Sequence, residues 1–130
     1  MTEGPAATSV PHHLVLAPDP RGVSDARRFV RACAQAAGLS DEALDVVVLL
    51  TSEAVTNAFI HGRSEARLTV TARHGAVRVE VGDDTRRSLQ PLQPPPDALS
   101  GRGLAILDTL ASAWGVSDDA YGKVVWFEVG

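Results

Sequence analysis

Residues 40–62 read SDEALDVVVLLTSEAVTNAFIHG and predict a long helix at the centre of the fold. Ser40 can cap this helix, and acidic residues follow in its positively polarised first turn. At about 100° per residue, one apolar stripe is formed by Leu44, Val48, Val55 and Phe59. Val46 and Leu50 lie on the other side, so we expect the helix to be buried on more than one face.

The segments before this helix predict one strand and one further helix. Residues 13–17 fit a short strand that ends at a proline. Ser24 can cap an amphipathic helix that ends at Gly38, because the apolar residues between them recur at helical spacing. Residues 1–11 are small, polar and contain proline, so we expect a flexible tail followed by one domain over residues 12–130.

The segments after the long helix predict a hairpin. Apolar and polar residues alternate through residues 67–73 and again through residues 77–81, which is typical of strands with one buried face. His74 and Gly75 form the tight turn between them. The inward row of the second strand consists of Val77, Val79 and Val81.

A proline-rich segment of about residues 84–102 interrupts this pattern and is typical of a lid or binding loop. It leads into a short apolar helix over residues 104–111. Two more strands are expected at residues 114–117 and 123–129. The element order predicts an α+β fold, a two-layer sandwich of helices on a mainly antiparallel sheet.

The composition is that of an ordinary globular domain, with 45% hydrophobic and 22% charged residues and a net charge of -4. Eleven of the twelve basic residues are arginines, scattered as on solvated faces, with Arg67 and Arg78 as examples. This mildly acidic chain without a basic patch predicts no direct nucleic-acid partner. The single cysteine, Cys33, excludes an internal disulfide framework and a cysteine-based zinc site.

The location of the protein is predicted from two absences in the sequence. The uninterrupted apolar runs are far shorter than the roughly 20 residues of a membrane span, so we expect no contact with a membrane. Residues 1–11 carry no basic residue ahead of an apolar core, so they do not resemble a signal peptide. A cytoplasmic location follows as the expectation.

Two polar residues break the apolar character of the long helix near its C-terminal end. Glu53 and Asn57 are one helical turn apart and therefore share a face. They present a carboxylate and an amide at the end of a face that begins apolar, which is compatible with a ligand site. The alternative is that Glu53 is exposed to solvent and that Asn57 bonds back to the helix backbone.

Asp83 is a second polar residue that departs from its local pattern. It has the same parity as Val81 and so stands at the end of an inward-facing row. A carboxylate in that position needs hydrogen-bond donors, which a ligand or the protein can supply. The alternative is a strand-end aspartate that caps a turn.

Gly101-Arg102-Gly103 precedes the predicted short helix. Its backbone N–H groups and the positive end of the helix dipole could bind an anion such as a phosphate. Glycine pairs often mark only a loop, but here a long loop comes before them. No metal site made of protein ligands alone is visible in the sequence.

Three segments together resemble the Bergerat-fold ATPases, the superfamily of the ATP domains of gyrase, heat-shock chaperones and histidine kinases. Residues 53–58 (EAVTNA) resemble its N box, residues 79–85 (VEVGDDT) its G1 box, and residues 101–104 (GRGL) its G2 box. The resemblance covers roughly residues 13–129. The short format and the WFE ending at residues 126–128 are similar to the anti-sigma-factor serine/threonine kinase branch.

The resemblance implies a role for each matching residue. Asn57 matches the magnesium-binding amide and Glu53 the general base. Asp83 matches the carboxylate that accepts a hydrogen bond from the adenine amino group. The nucleotide-binding positions of the lid correspond to Gly101, Arg102, Gly103 and Leu104. Thr85 stands on the adenine side where the family usually has a glycine, which indicates a tighter or a differently bonded turn.

The resemblance also implies a function. The chain would bind ATP and Mg²⁺, sequester a sigma factor and, as a protein kinase, phosphorylate a serine or threonine of an anti-sigma antagonist. A homodimer is suggested as well. Two other functions stay open, namely a non-catalytic module that binds nucleotide and a protein partner, and a structural interaction domain with a degenerate pocket.

Overall fold

Three helices and five strands make up the part of the chain that the computed structural model describes, residues 10–62, 65–83, 101–118 and 122–130. In chain order these elements are β1 (Val10–Leu16), α1 (Pro20–Ala36), α2 (Asp41–Gly62), β2 (Ala66–Arg73), β3 (Ala76–Gly82), α3 (Gly101–Leu110), β4 (Ala113–Asp118) and β5 (Lys123–Val129). The predicted order of elements is confirmed.

The strands form one sheet in the order β1-β2-β3-β5-β4, and every neighbouring pair is antiparallel. The helices cover one face of this sheet, where α2 contacts β2, β3 and β5 while α3 contacts α2 and β4. The core between the two layers includes the alternate strand residues Leu68, Val70, Val79, Val81 and Phe127. The predicted α+β sandwich of helices on an antiparallel sheet is therefore confirmed.

The buried face of α2 differs from the predicted stripe. Val47 and Ala54, which were not assigned to that stripe, are almost completely buried, whereas Val48 and Phe59 are only half-buried. The ring of Phe59 lies beside Gly22 of α1, so part of the predicted stripe meets α1 and not the sheet. The sequence could not distinguish these faces because α2 is apolar on both, as its two packing partners require.

Helix α2 qualifies the expectation that no apolar segment is long enough to span a membrane. Residues 41–60 have a mean hydropathy of 1.6, so by length and composition alone this helix could cross one. In the structure its apolar residues contact the sheet and α1. A core helix passes the same test of length and composition, and 44% of this segment is buried inside the structure.

Three predicted boundaries are corrected. Helix α1 is capped by Asp19 and not by Ser24, because the Asp19 carboxylate accepts hydrogen bonds from the N–H groups of Arg21 and Gly22, and Pro20 is well suited to the first helical position. Strand β1 begins at Val10, inside the segment assigned to the tail.

A proline near the start of β1 is tolerated because β1 is an edge strand, where a missing N–H group need not break a ladder. The third correction concerns α3, which begins at Gly101, so its glycines lie within the first helical turn instead of before the helix.

Two caps are confirmed. The Ser40 hydroxyl accepts from the Ala43 N–H at 3.1 Å, and Gly38, with a φ of 85°, follows α1.

The hydroxyl group of Thr51 is buried in α2 without a hydrogen-bond partner among the described residues. We expect Thr51→Val to raise the free energy of unfolding by about 1 kcal/mol, because the methyl group removes an unsatisfied polar atom and keeps the shape. Urea denaturation at an unchanged m-value measures this. The control is Thr56→Val on the exposed side of the same helix. A loss of stability in Thr51→Val would show that the hydroxyl has a bonding partner.

Candidate functional site

The amide of Asn57 is held against the backbone of α2. Its Nδ2 atom donates to the Glu53 carbonyl oxygen at 2.8 Å, and the residue is 8% exposed. This is the backbone bond that the alternative interpretation predicted for Asn57. The bond uses only the amide nitrogen, so it orients the side chain and leaves Oδ1 as the atom that could bind a cation.

The Glu53 side chain lies at the edge of the buried face of α2. It is half-buried, so the fully solvated carboxylate of the alternative interpretation is not what the structure shows. Glu53 also takes part in a further interaction with the rest of the protein. Because Glu53 and Asn57 are one turn apart, the structure brings these two predicted site residues together on one face of α2.

Asp83 follows the last residue of β3 and is also 8% exposed. Its N–H group donates to the Lys123 carbonyl oxygen at 3.0 Å, which extends the β3–β5 ladder by one bond. With the parity of Val81, its side chain belongs to the face of the sheet that the helices cover. The burial of Asp83 agrees with the inward placement that the sequence predicted.

The glycines of the GRG segment lie at the start of α3. The first four N–H groups of a helix have no partner within the helix, so those of residues 101–104 can still serve an anion although the glycines are helical. Helix α3 packs against α2, the helix that carries Asn57. The side chains of Arg102 and Leu104 lie outside what the structure describes.

These groups together have the chemistry of a nucleotide site. Asn57 supplies an amide oxygen, Asp83 a carboxylate acceptor, and α3 the N–H groups of a helix N-terminus. Among the residues described, no three His, Cys, Asp or Glu side chains group together to hold a metal ion. This donor set fits Mg²⁺ bound mainly through ligand phosphates, because that ion seldom relies on an all-protein cage.

Comparison with known families decides the identity of the fold. The family model of the histidine kinase-like ATPase domain matches residues 16–129, which is most of the chain. The chain belongs to this family. The match confirms the superfamily to which the three sequence boxes pointed, and membership of the ATPase family implies that ATP is the ligand of the domain.

A solved structure shares the fold of this histidine kinase-like ATPase domain. It contains the RsbU and RsbW domains of Rv1364c from Mycobacterium tuberculosis and superposes with a TM-score of 0.68 at 21% sequence identity. The match covers 92% of this chain but only 32% of the other, so this chain spans about a third of the length of the chain in that structure. No curated protein matches the sequence.

Part of the predicted site of the histidine kinase-like ATPase domain lies outside the described residues. Thr85 and the other residues at 84–100, which are most of the segment 84–102 that we assigned to the lid, belong to this part. Their proposed contacts to nucleotide stay predictions. So does the assignment of residues 1–9 to a tail.

Sequence reasoning missed Arg67 and Arg78, which were grouped with the arginines of solvated faces. Both are half-buried on the face of the sheet opposite the helices. Arg78 bonds Glu128 at 3.0 Å and lies over the ring of Trp126, while Arg67 donates to the Asp83 carbonyl oxygen at 3.3 Å. In the sequence, their only signal was that they alternate with apolar residues on a strand. The pairing of Arg67 with Gly82 across the ladder is visible only in the structure.

Proposed function

We propose that the chain is a cytoplasmic anti-sigma regulator that binds ATP with Mg²⁺. It would sequester a sigma factor and phosphorylate a serine or threonine of an anti-sigma antagonist protein. The family match supports the ATP site, and the sequence likeness of residues 126–128 to the anti-sigma branch supports the partners. The fold shared with the RsbU and RsbW structure is compatible with this assignment.

The placement of Asn57 is the observation that carries the proposal. A buried asparagine whose nitrogen is fixed by its own helix presents its oxygen in one orientation. Such preorganisation lowers the cost of binding a cation, because the side chain need not be ordered at that moment. The neighbouring Glu53 lies one helical turn from Asn57, so it would be close to a phosphate bound through this cation.

Each protein group has a separate task in the proposed reaction. ATP with Mg²⁺ supplies the γ-phosphoryl group that is transferred. Asp83 would accept a hydrogen bond from the adenine amino group, and Asn57 would hold Mg²⁺. The N–H groups at the start of α3 would neutralise phosphate charge. Positioning and charge neutralisation supply most of the catalysis in phosphoryl transfer, so few side chains need to react.

Glu53 is the proposed general base. The antagonist hydroxyl attacks the γ-phosphorus, the bond to the ADP oxygen breaks, and the hydroxyl proton passes to the Glu53 carboxylate. A base must lie within about 2.6–3.2 Å of the group that it deprotonates, directly or through one water. The half-buried position of Glu53 leaves it accessible to a partner that docks at this face of α2.

A second candidate function is a non-catalytic module that binds nucleotide and a protein partner. The bond from Asn57 to the Glu53 carbonyl oxygen is equally compatible with it, because this bond fixes the asparagine whether or not Glu53 takes part in catalysis. In that case Glu53 would have no part in proton transfer. Measuring phosphate transfer separates the two candidates, since both bind nucleotide.

The proposal is tested by incubating the chain with γ-labelled ATP, Mg²⁺ and small candidate antagonist proteins. We expect label on a serine or threonine of one antagonist, lost when a chelator removes Mg²⁺. Asn57→Ala should abolish labelling, whereas Gln35→Ala, which truncates an exposed amide on α1, should not. Nucleotide binding without transfer to any antagonist would favour the non-catalytic module.

A further inference from the structure

The backbone of Asp83 is held on both sides by the neighbouring strands. Its N–H group donates to the Lys123 carbonyl oxygen of β5 at 3.0 Å. Its own carbonyl oxygen accepts from Arg67 Nη2 of β2 at 3.3 Å. Both backbone polar groups of Asp83 are therefore bonded at the point where β3 ends. The alternation of β3 assigns its buried side chain to the helix-covered face.

Gly82 makes the contact from Arg67 sterically feasible. The two residues are paired across the β2–β3 ladder. A Cβ atom on Gly82 would lie 2.9 Å from Nη2, 3.1 Å from Cζ and 3.4 Å from Nη1 of Arg67. The guanidinium group thus occupies the space that a side chain at position 82 would need, and from there it reaches Asp83.

We propose that Arg67 is a positioning residue for base selection. It holds the Asp83 peptide from the outer face of the sheet, so that the carboxylate on the inner face keeps the direction in which it accepts the adenine amino group. Arg67 itself does not touch the nucleotide. The inference rests on the proposed nucleotide site and names a further residue that determines its specificity.

The test compares ATP with purine riboside triphosphate, which has the same phosphates but lacks the amino group on the base. Arg67→Ala should weaken ATP binding about 3- to 10-fold, the effect of one hydrogen bond, and leave the affinity for the purine analogue nearly unchanged. A merely structural role would lower both affinities equally. Arg67→Lys, which keeps a charged donor, should recover part of the preference for ATP.

The matched control is Arg78→Ala. Arg78 lies on the same outer face and has its own ion pairs, but it bonds Glu128 and Glu80. Its removal should not change the ratio of the two affinities. Thermal denaturation of each variant checks that it is folded, so that a loss of binding is not confused with a loss of structure.

A second variant disturbs the same contact without removing the charge. In Gly82→Ala the new methyl group displaces the end of a flexible arginine, which the fold tolerates, so this variant should reproduce the reduced preference for ATP. In an Asp83→Asn background, Arg67→Ala should have almost no further effect, because residues that act through one contact are not additive.

The outcomes separate this inference from the proposed function. If the parent chain binds neither nucleotide, or binds both equally, the adenine site and the role of Arg67 are both refuted. If the parent prefers ATP and Arg67→Ala keeps the same preference, the nucleotide site stands and the role of Arg67 is refuted. Equal loss of both affinities in Arg67→Ala also refutes it.

Discussion

Replacing Glu53 by glutamine should lower phosphate transfer to the antagonist by roughly 10²–10⁴-fold, the usual contribution of a general base. Binding of ATP and of the protein partner should stay close to that of the parent chain. Glutamine has nearly the same shape and can still form hydrogen bonds, but it cannot accept the hydroxyl proton. Single-turnover transfer from labelled ATP, together with calorimetric titration of ATP, measures both quantities.

The control for this variant is Glu42→Gln, which removes an exposed carboxylate from the first turn of the same helix. It changes the net charge by the same amount and should leave the transfer rate unaltered. If Glu53→Gln transfers phosphate as fast as the parent, Glu53 is not the base. If Glu53→Gln also loses ATP affinity, its main role is in binding.

Replacing Asp83 by asparagine should weaken ATP binding by about 1.5–3 kcal/mol, or roughly 10- to 150-fold. The carboxylate accepts hydrogen bonds only, whereas an amide can present a donor to the adenine amino group. The fold should be retained, because the two backbone bonds of this residue do not involve its side chain. Titration with ATP and thermal denaturation measure the two effects separately.

A matched control is Asp25→Asn. Asp25 lies on α1 and forms an exposed ion pair with Arg28, so its loss removes the same charge from the surface of another element. An exposed pair contributes little to stability, and ATP affinity should not change. Parent-like ATP affinity in Asp83→Asn would mean that this residue is only a turn residue at the end of β3.

The elements of the fold were predictable where one physical signal dominates. Strict alternation defined β2 and β3, and His74-Gly75 between them gave the turn, where Gly75 indeed has a φ of 78°. The caps at Ser40 and Gly38 were also visible, because both depend on neighbouring residues alone. Antiparallel pairing then followed from the order of the elements.

The errors arose where the outcome depends on tertiary contacts. Either of the two apolar faces of α2 could pack on the sheet. Only the position of Phe59 beside Gly22 shows which face contacts α1. Asp19 was overlooked as a cap because the proline next to it, Pro18, was taken as the sign of a strand end. Proline is also common at the first position of a helix, so Pro20 could equally have indicated the start of α1.

The candidate site was predictable only where its residues break a local pattern in the sequence. Asp83 and the pair of Glu53 and Asn57 break local patterns, so the sequence alone identified them. Arg67 breaks no pattern, since a polar residue is expected on the outer face of a strand. Its relation to Asp83 depends on the pairing of two strands and on the absence of a side chain at Gly82.

The central claim is that Asn57 and Asp83 form an adenine nucleotide site, and calorimetric titration of the chain with ATP tests it most directly. Titrations are run with Mg²⁺ and with a chelator. We predict saturable binding of one ATP per chain that is tighter with Mg²⁺, because the amide oxygen of Asn57 then has a cation to bind. Absence of binding at millimolar ATP in both conditions would contradict the account.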